Sequence, residues 1–192
     1  MFPKLQGGSI MHKMTAANLR DAHGGESMAH MRYKAWGERA AEEGFDNVAR
    51  LFRAIAHAEQ IHATNHFVAV GEDSGAFRCA SMAEFGYGDT SDNLQGGIDG
   101  ETFEVNEMYP AYLDVAKSQG EGEAIKSFHY AYSAEQTHAA LFKKAKEVVD
   151  RGDDPDLDAV GVCEVCGWTH EGELPEECPI CKAKREQFTI FE

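Results

Sequence analysis

Glu59 and His62, three residues apart, recur as Glu135 and His138. They stand in near-identical phrases, Ala58-Glu59-Gln60-Ile61-His62-Ala63 and Ala134-Glu135-Gln136-Thr137-His138-Ala139, 76 positions apart (135 against 59). On a helix, side chains three apart share a face about one turn apart, so this carboxylate and imidazole aim at a common point. Each pair is a ligand set for a transition metal. Two such pairs, on two helices, build a two-metal site inside a four-helix bundle if each of the other helices adds a lone glutamate. The chain supplies both at a matching offset: Gly25-Glu26 lies 33 residues before Glu59, and Gly100-Glu101 lies 34 before Glu135. Unrelated surface glutamates have no reason to keep step, so the chain reads as two repeated helical hairpins. The repeat is asymmetric: Glu101 is followed three residues on by Glu104, whereas Ala29 stands at that place after Glu26. The extra carboxylate gives one metal a choice of partners.

Cys163-Glu164-Val165-Cys166-Gly167 and Cys178-Pro179-Ile180-Cys181 form a second constellation, two thiolate knuckles separated by eleven residues. Four sulfurs so spaced make a tetrahedral site for zinc or iron, and the spacing alone does not choose between them. The neighbouring site favours iron, because a redox two-metal centre needs electrons and an iron-tetrathiolate in the same chain can deliver them. Gly167 suits the positive φ that a knuckle turn demands. Trp168, Leu174-Pro175 and Phe188 supply an apolar wrapping.

Four long helices must position the first constellation. The first is predicted from a Thr15 N-cap to Gly44, with Gly24-Gly25 before Glu26 either allowing close packing around the metals or merely tolerated. The second runs from an Asp46 N-cap to about Val70, with Phe52, Ile55, Glu59, His62 and His66 on one face. Gly71 to Thr90 is rich in Gly, Asp and Ser and reads as the long crossover between hairpins, with Cys79 packed beneath it as a small hydrophobe. Ser91 or Asp92 caps the third helix, and Pro110 distorts it just beyond Glu101, Glu104 and Glu107. The fourth helix opens after Gly120 and closes near Arg151-Gly152. His66 has Phe142 as its counterpart on that helix and is expected not to ligate. Residues 1–14 are unpatterned and read as a mobile lead-in or an arm on a neighbour. The acidic run Asp153-Asp154-Pro155-Asp156-Leu157-Asp158 reads as a linker that no core would accept. The residues beyond it are too few for a hydrophobic core of their own, so metal must help them fold.

Composition narrows the function. A net charge of −15 provides no basic stripe for nucleic acid. Five cysteines, four of them in Cys-x-x-Cys pairs, suit a metal site in a reducing compartment better than a disulfide framework. With no run apolar and long enough to span a bilayer, the expectation is a cytoplasmic protein without a membrane partner.

The combined motifs resemble the rubrerythrins. The matching phrases are Gly25-Glu26-Ser27 with Arg32-Tyr33, the two Ala-Glu-Gln-x-His-Ala segments, Gly100-Glu101-x-x-Glu104-x-x-Glu107-Met108-Tyr109-Pro110, and the rubredoxin-like knuckles with Pro175. The resemblance covers residues 15–192. It implies a mainly α chain: a ferritin-like four-helix bundle over 1–152, a linker over 153–158 and a small rubredoxin-like metal-ribbon domain over 159–192. It makes Glu26, Glu59, Glu101, Glu104, Glu135 and His138 ligands of two non-haem irons, with His62 taken up in place of Glu104 on reduction. It makes Cys163, Cys166, Cys178 and Cys181 the ligands of a third iron, and has Tyr33 and Tyr109 hydrogen-bonding to ligating carboxylates. Glu107 is left as a surface acid or a support to the ligands. The implied activity is reduction of hydrogen peroxide to water in oxidative-stress protection. Electrons would come from an external rubredoxin or NAD(P)H-dependent reductase, and the partner would be a second copy whose ribbon serves the first copy's bundle, in a homodimer or larger assembly. Ferroxidase or iron handling with a structural zinc or iron tail is the alternative, as is a zinc-bearing interaction module. Two departures from the family pattern bear on the ribbon: Lys182 stands where Gly usually follows the fourth cysteine, and Glu164 replaces a frequent Pro.

Overall fold

The computed structural model describes residues 11–192, so most of the predicted lead-in lies outside the described residues. Five helical segments, α1 (Lys13–Glu42), α2 (Asp46–Ala69), α3 (Thr90–Phe103), α4 (Tyr109–Gln119) and α5 (Gly122–Val149), build a four-helix bundle. Segments α3 and α4 are one continuous rod joined by a π-helical turn at Glu104–Met108. That turn is the distortion expected at Pro110, which lies in the first turn of α4 and lacks the N–H a regular α-turn needs.

The bundle is layered, and the layers are written in steps of seven residues. Seven residues are nearly two turns, about 10 Å of rise, so side chains at i−7, i and i+7 stack along one face. Each bundle rod carries such a triple: Leu19-Glu26-Tyr33, Phe52-Glu59-His66, Leu94-Glu101-Met108 and Phe128-Glu135-Phe142. Tyr33, Phe52, Leu94 and Phe142 belong to one buried cluster, and Leu19, Met108 and Phe128 to another. The first layer is largely aromatic, with Phe52 and Phe142 ring centroids 5.1 Å apart and Tyr33 edge-on to Phe142 at 5.2 Å. Four glutamates, all buried, lie between the two apolar layers.

Several predicted helix starts shift. Thr15 does not cap α1, since the helix begins at Lys13 and the Thr15 hydroxyl donates to Gln119 Oε1 at 2.7 Å. Asp46 lies inside α2, whose first amides instead donate to Asp154, Asn47 N at 2.9 Å and Val48 N at 3.3 Å. Asp89 caps α3, accepting from Asp92 N at 2.9 Å, in place of Ser91 or Asp92. Gly24 and Gly25 make room for the crossover and not for helix packing: a Cβ there would meet Cys79 Cβ at 3.2 Å and Ser81 Oγ at 2.8 Å. Cys79 itself is exposed, contrary to the expectation that it packs under the loop: the crossover lies on the outside of α1, and nothing among the described residues covers it there.

The segment expected to be a solvated linker is docked. Pro155 and Leu157 are buried, and Leu157 joins the aromatic-layer cluster with Val160 and Val162, while Arg50 donates to the Leu157 carbonyl at 2.6 Å. Alternation of buried apolar residues with exposed Asp153, Asp156 and Asp158 lets an acidic run lie on a core. It leads into an antiparallel sheet of β1 (Val160–Cys163), β2 (Thr169–Glu171) and β3 (Phe188–Phe191), in the order β2-β1-β3.

Replacing Asp154 with Ala removes the only side-chain acceptor described for the first α2 amides. Denaturant unfolding should show a loss of about 1 kcal/mol, as for other N-caps, and an unchanged midpoint would contradict the cap. Lys182 takes φ 65°, the left-handed turn its Gly counterpart would adopt, so Lys182→Gly should stabilise the ribbon by about 1 kcal/mol in calorimetry.

Candidate metal centres

Each central glutamate is delivered by its own rod into the space between the apolar layers. Two ligand groups result, each with its donor atoms within 4.8 Å of one another: Glu26, Glu59, His62 and Glu135, and Glu59, Glu101, Glu135 and His138. Glu59 and Glu135 belong to both, as two carboxylates bridging two ions would. Six of the seven predicted bundle ligands are therefore brought together. Glu104 stands outside both groups, at the start of the π-turn and only partly buried.

Donor chemistry fits metal. Glu26 Oε2, Glu59 Oε1, Glu101 Oε2, both Glu135 oxygens and His138 Nδ1 are buried without a hydrogen-bond partner. His138 Nδ1 lies 2.6 Å from Glu135 Oε2 without the alignment a hydrogen bond requires. So many unpaired buried acceptors in one place would be costly unless cations compensated them.

The outer nitrogens of both histidines are held by the ribbon. His62 Nε2 is 3.1 Å from the Cys166 carbonyl and His138 Nε2 is 2.9 Å from Thr169 Oγ1. Thr169 gives its own proton to the Gly167 carbonyl, so it accepts from His138. Both rings therefore carry hydrogen on Nε2 and turn Nδ1 to the carboxylates, His62 Nδ1 at 2.8 Å from Glu59 Oε2, so Nδ1 is the nitrogen a metal would take up in place of a proton. Asn65 Nδ2 donates to the Val165 carbonyl at 3.0 Å, and His57 and Thr189 both reach Glu164 Oε1, at 2.7 and 2.5 Å. Glu164 thus joins bundle, knuckle and β3, which the Pro frequent at this place could not do.

Gly167 makes this docking close. Its φ is +76°, and a Cβ built on it would lie 2.2 Å from His62 Nε2. The predicted knuckle glycine therefore answers two demands, the turn and the approach of a ligand histidine.

Tyrosines from opposite layers complete the site. Tyr33 donates to Glu101 Oε1 at 2.6 Å, and Tyr109 donates to Glu26 Oε1. Burial, then the charge of the carboxylate each one faces, raises both phenol pKa values, so both keep their protons. Burial also raises the carboxyl pKa of Glu26, Glu101 and Glu104, reinforced by Glu135 and Glu59 around Glu26, by Glu59 and Glu135 around Glu101, and by Glu26 around Glu104. Burial would lower His62 and His138, but the Glu135 charge outweighs it and raises both.

In the ribbon all four sulfurs lie within 4.8 Å of one another, with Cys163–Cys181 and Cys166–Cys178 each 3.5 Å apart. A tetrahedron with metal–sulfur bonds of about 2.3 Å has edges of about 3.8 Å, so the cluster is nearly the size a metal requires. Hydrogen bonds from the Cys163 and Cys166 thiols hold Cys178 well below the usual thiol range.

Thr169, Ser127 and the Cys166 carbonyl were not singled out by sequence, since a lone hydroxyl or a backbone oxygen has no spacing signal. His66 lies outside both ligand groups. Its Nδ1 meets Ser127 Oγ and its Nε2 meets Tyr109 OH.

Fold and site together define a class: helical carboxylate proteins with a two-metal centre and a tetrathiolate ribbon of their own. The sequence model described as Rubrerythrin matches residues 17–146, and that of the rubrerythrin rubredoxin-like domain matches 162–189. Rubrerythrin-2 of Clostridium acetobutylicum is 47% identical over 183 residues, 95% of this chain and 100% of its own length. Nigerythrin of Nitratidesulfovibrio vulgaris is 36% identical, covering 92% of this chain and 86% of its own. The solved nigerythrin in its fully reduced, all-ferrous state superposes with a TM-score of 0.81 at 32% identity, covering 100% of this chain and 98% of that one. The chain belongs to the rubrerythrin family. Among the described residues no helix is long and apolar enough to cross a membrane.

Metal uptake should depend on pH. Carboxyls with raised pKa values hold protons that a metal must displace, so affinity should fall as pH falls, with protons released on binding. Competition titrations of the metal-free protein at several pH values measure this, and pH-independent affinity would contradict it.

Proposed function

We propose that this protein is a non-haem iron peroxidase that reduces hydrogen peroxide to water, with Glu26, Glu59, His62, Glu101, Glu135 and His138 holding two irons and the four ribbon cysteines a third. Ferrous ions held there would supply the two electrons that break the O–O bond, and iron held by the four cysteines would supply electrons for re-reduction. The observation that carries the reading is the seating of the ribbon on the ligand histidines, with the Cys166 carbonyl 3.1 Å from His62 Nε2. A storage protein has no use for a thiolate centre hydrogen-bonded to its ligands.

The residues divide the work. Glu59 and Glu135, which belong to both ligand groups, would be shared between the two ions, while Tyr33 and Tyr109 orient Glu101 and Glu26 as neutral phenols. His62 inside a ligand group with Glu104 outside matches the arrangement that the resemblance assigns to the reduced state. The π-turn starting at Glu104 gives that carboxylate an irregular backbone from which to exchange with His62. The apolar layers exclude bulk water from the site.

The resemblance places the ribbon of one copy on the bundle of another, whereas here the ribbon covers its own bundle. A homodimer or larger assembly stays part of the proposal, supported by exposed Phe67, Val68, Met82 and Phe85, which leave apolar surface uncovered. An external reductase or rubredoxin would refill the ribbon iron.

Anaerobic stopped-flow absorbance on the iron-loaded, fully reduced protein tests the reading. Peroxide should bring up ferric-tetrathiolate bands faster than air does, and more slowly in Glu104→Ala. Gly167→Ala, which keeps every ligand but sets a methyl against His62, should slow the bands at unchanged iron content. Absence of bands in the unsubstituted protein, or zinc in the ribbon, would return the chain to iron handling.

A further inference from the structure

In the layer formed by Leu19, Met108 and Phe128, α2 places a histidine. His66 is fully buried there and packs on Phe128, its ring centroid 5.4 Å away. An apolar side chain would fill the layer at lower cost, so the imidazole calls for a reason. Its Nδ1 is 2.8 Å from Ser127 Oγ and its Nε2 is 2.9 Å from Tyr109 OH. The one proton of Tyr109 goes to Glu26, so the phenol oxygen must accept from His66. That puts the ring hydrogen on Nε2 and leaves Nδ1 to accept from the Ser127 hydroxyl. Every donor in the chain then faces inward, from Ser127 to Glu26. At the outer end, Ser127 lines a surface pocket of about 170 Å³ whose rim carries Asn65 and the exposed Glu123 and Lys126.

We propose that Ser127, His66 and Tyr109 form a proton relay from this pocket to Glu26 at the two-metal site. Its purpose rests on the peroxidase reading, while its existence rests on the hydrogen bonds. Reducing one hydrogen peroxide to two waters takes two electrons, drawn from bound ferrous iron, and two protons. For each proton, water in the pocket gives one to Ser127 and takes one back from bulk solvent, so no hydroxide is left behind, and Ser127's own proton passes to His66 Nδ1. The Nε2 proton passes to Tyr109, and the Tyr109 proton to Glu26. Each step breaks one O–H or N–H bond and makes the next, so Ser127, His66 and Tyr109 are neutral before and after. Rotation of the two hydroxyls and turnover of the ring restore the starting polarity.

The test starts with nitrogen-15 histidine spectra of the metal-free protein. The neutral His66 ring should carry its hydrogen on Nε2 and exchange it with solvent; a ring protonated on Nδ1 would overturn the relay without any variant. Ser127→Val and Ser127→Thr match in shape and differ in the hydroxyl. Val should slow Nε2–H exchange by about tenfold or more, and Thr should stay near the unsubstituted rate. In the iron-loaded protein Val should slow peroxide reduction relative to Thr at equal iron content. Equal exchange in the two variants would overturn the proposal. If none of the proteins reduces peroxide while the exchange difference stands, the peroxidase reading fails and the proton path survives it.

Discussion

The rest of the structure answers to one constraint, negative charge held in a dry interior. Glu26, Glu59, Glu101 and Glu135 lie buried between two apolar layers with most of their oxygens aimed at one another. Carboxylates this close cannot all be ionised in a low-dielectric interior unless cations lie among them. Two histidines turn Nδ1 to these carboxylates, and two tyrosines offer protons to outer oxygens. The arrangement is therefore a pair of metal sites, and packing, tyrosine placement and ribbon docking all follow from making that pair tolerable.

The ribbon is part of the same solution. It occupies the side of the bundle where His62 and His138 present their outer nitrogens, which need acceptors once Nδ1 is committed inward. The Cys166 carbonyl and Thr169 hydroxyl provide them. The peptide that satisfies His62 is thus also the peptide of a thiolate knuckle, and one hydrogen bond joins a ligand-group histidine to the four-cysteine cluster. Gly167 is what lets the two surfaces come this close.

Much of this was legible in the sequence because it is periodic. The repeated Glu-x-x-His phrases, the matched offsets of Glu26 and Glu101 and the twin Cys-x-x-Cys knuckles are patterns that helical geometry and tetrahedral coordination impose on any chain. What escaped was set by contacts distant in sequence. Asp154 caps a helix more than a hundred residues upstream, so Asp46 looked like the cap when it was not. Leu157 docks within an acidic run because only alternate side chains face the core, and composition averages that alternation away. Cys79 and Ser81 explain Gly24 and Gly25 only once the crossover is seen lying on α1. The separation of Glu104 from both ligand groups turns on a π-turn whose register no spacing rule gives.

Anomalous diffraction at the iron edge on crystals of the iron-loaded protein tests the central claim most directly. The account expects two peaks in the bundle, one among Glu26, Glu59, His62 and Glu135 and one among Glu59, Glu101, Glu135 and His138, with a third among the cysteine sulfurs. A bundle with one peak or none, its carboxylates paired by protons instead, would contradict it.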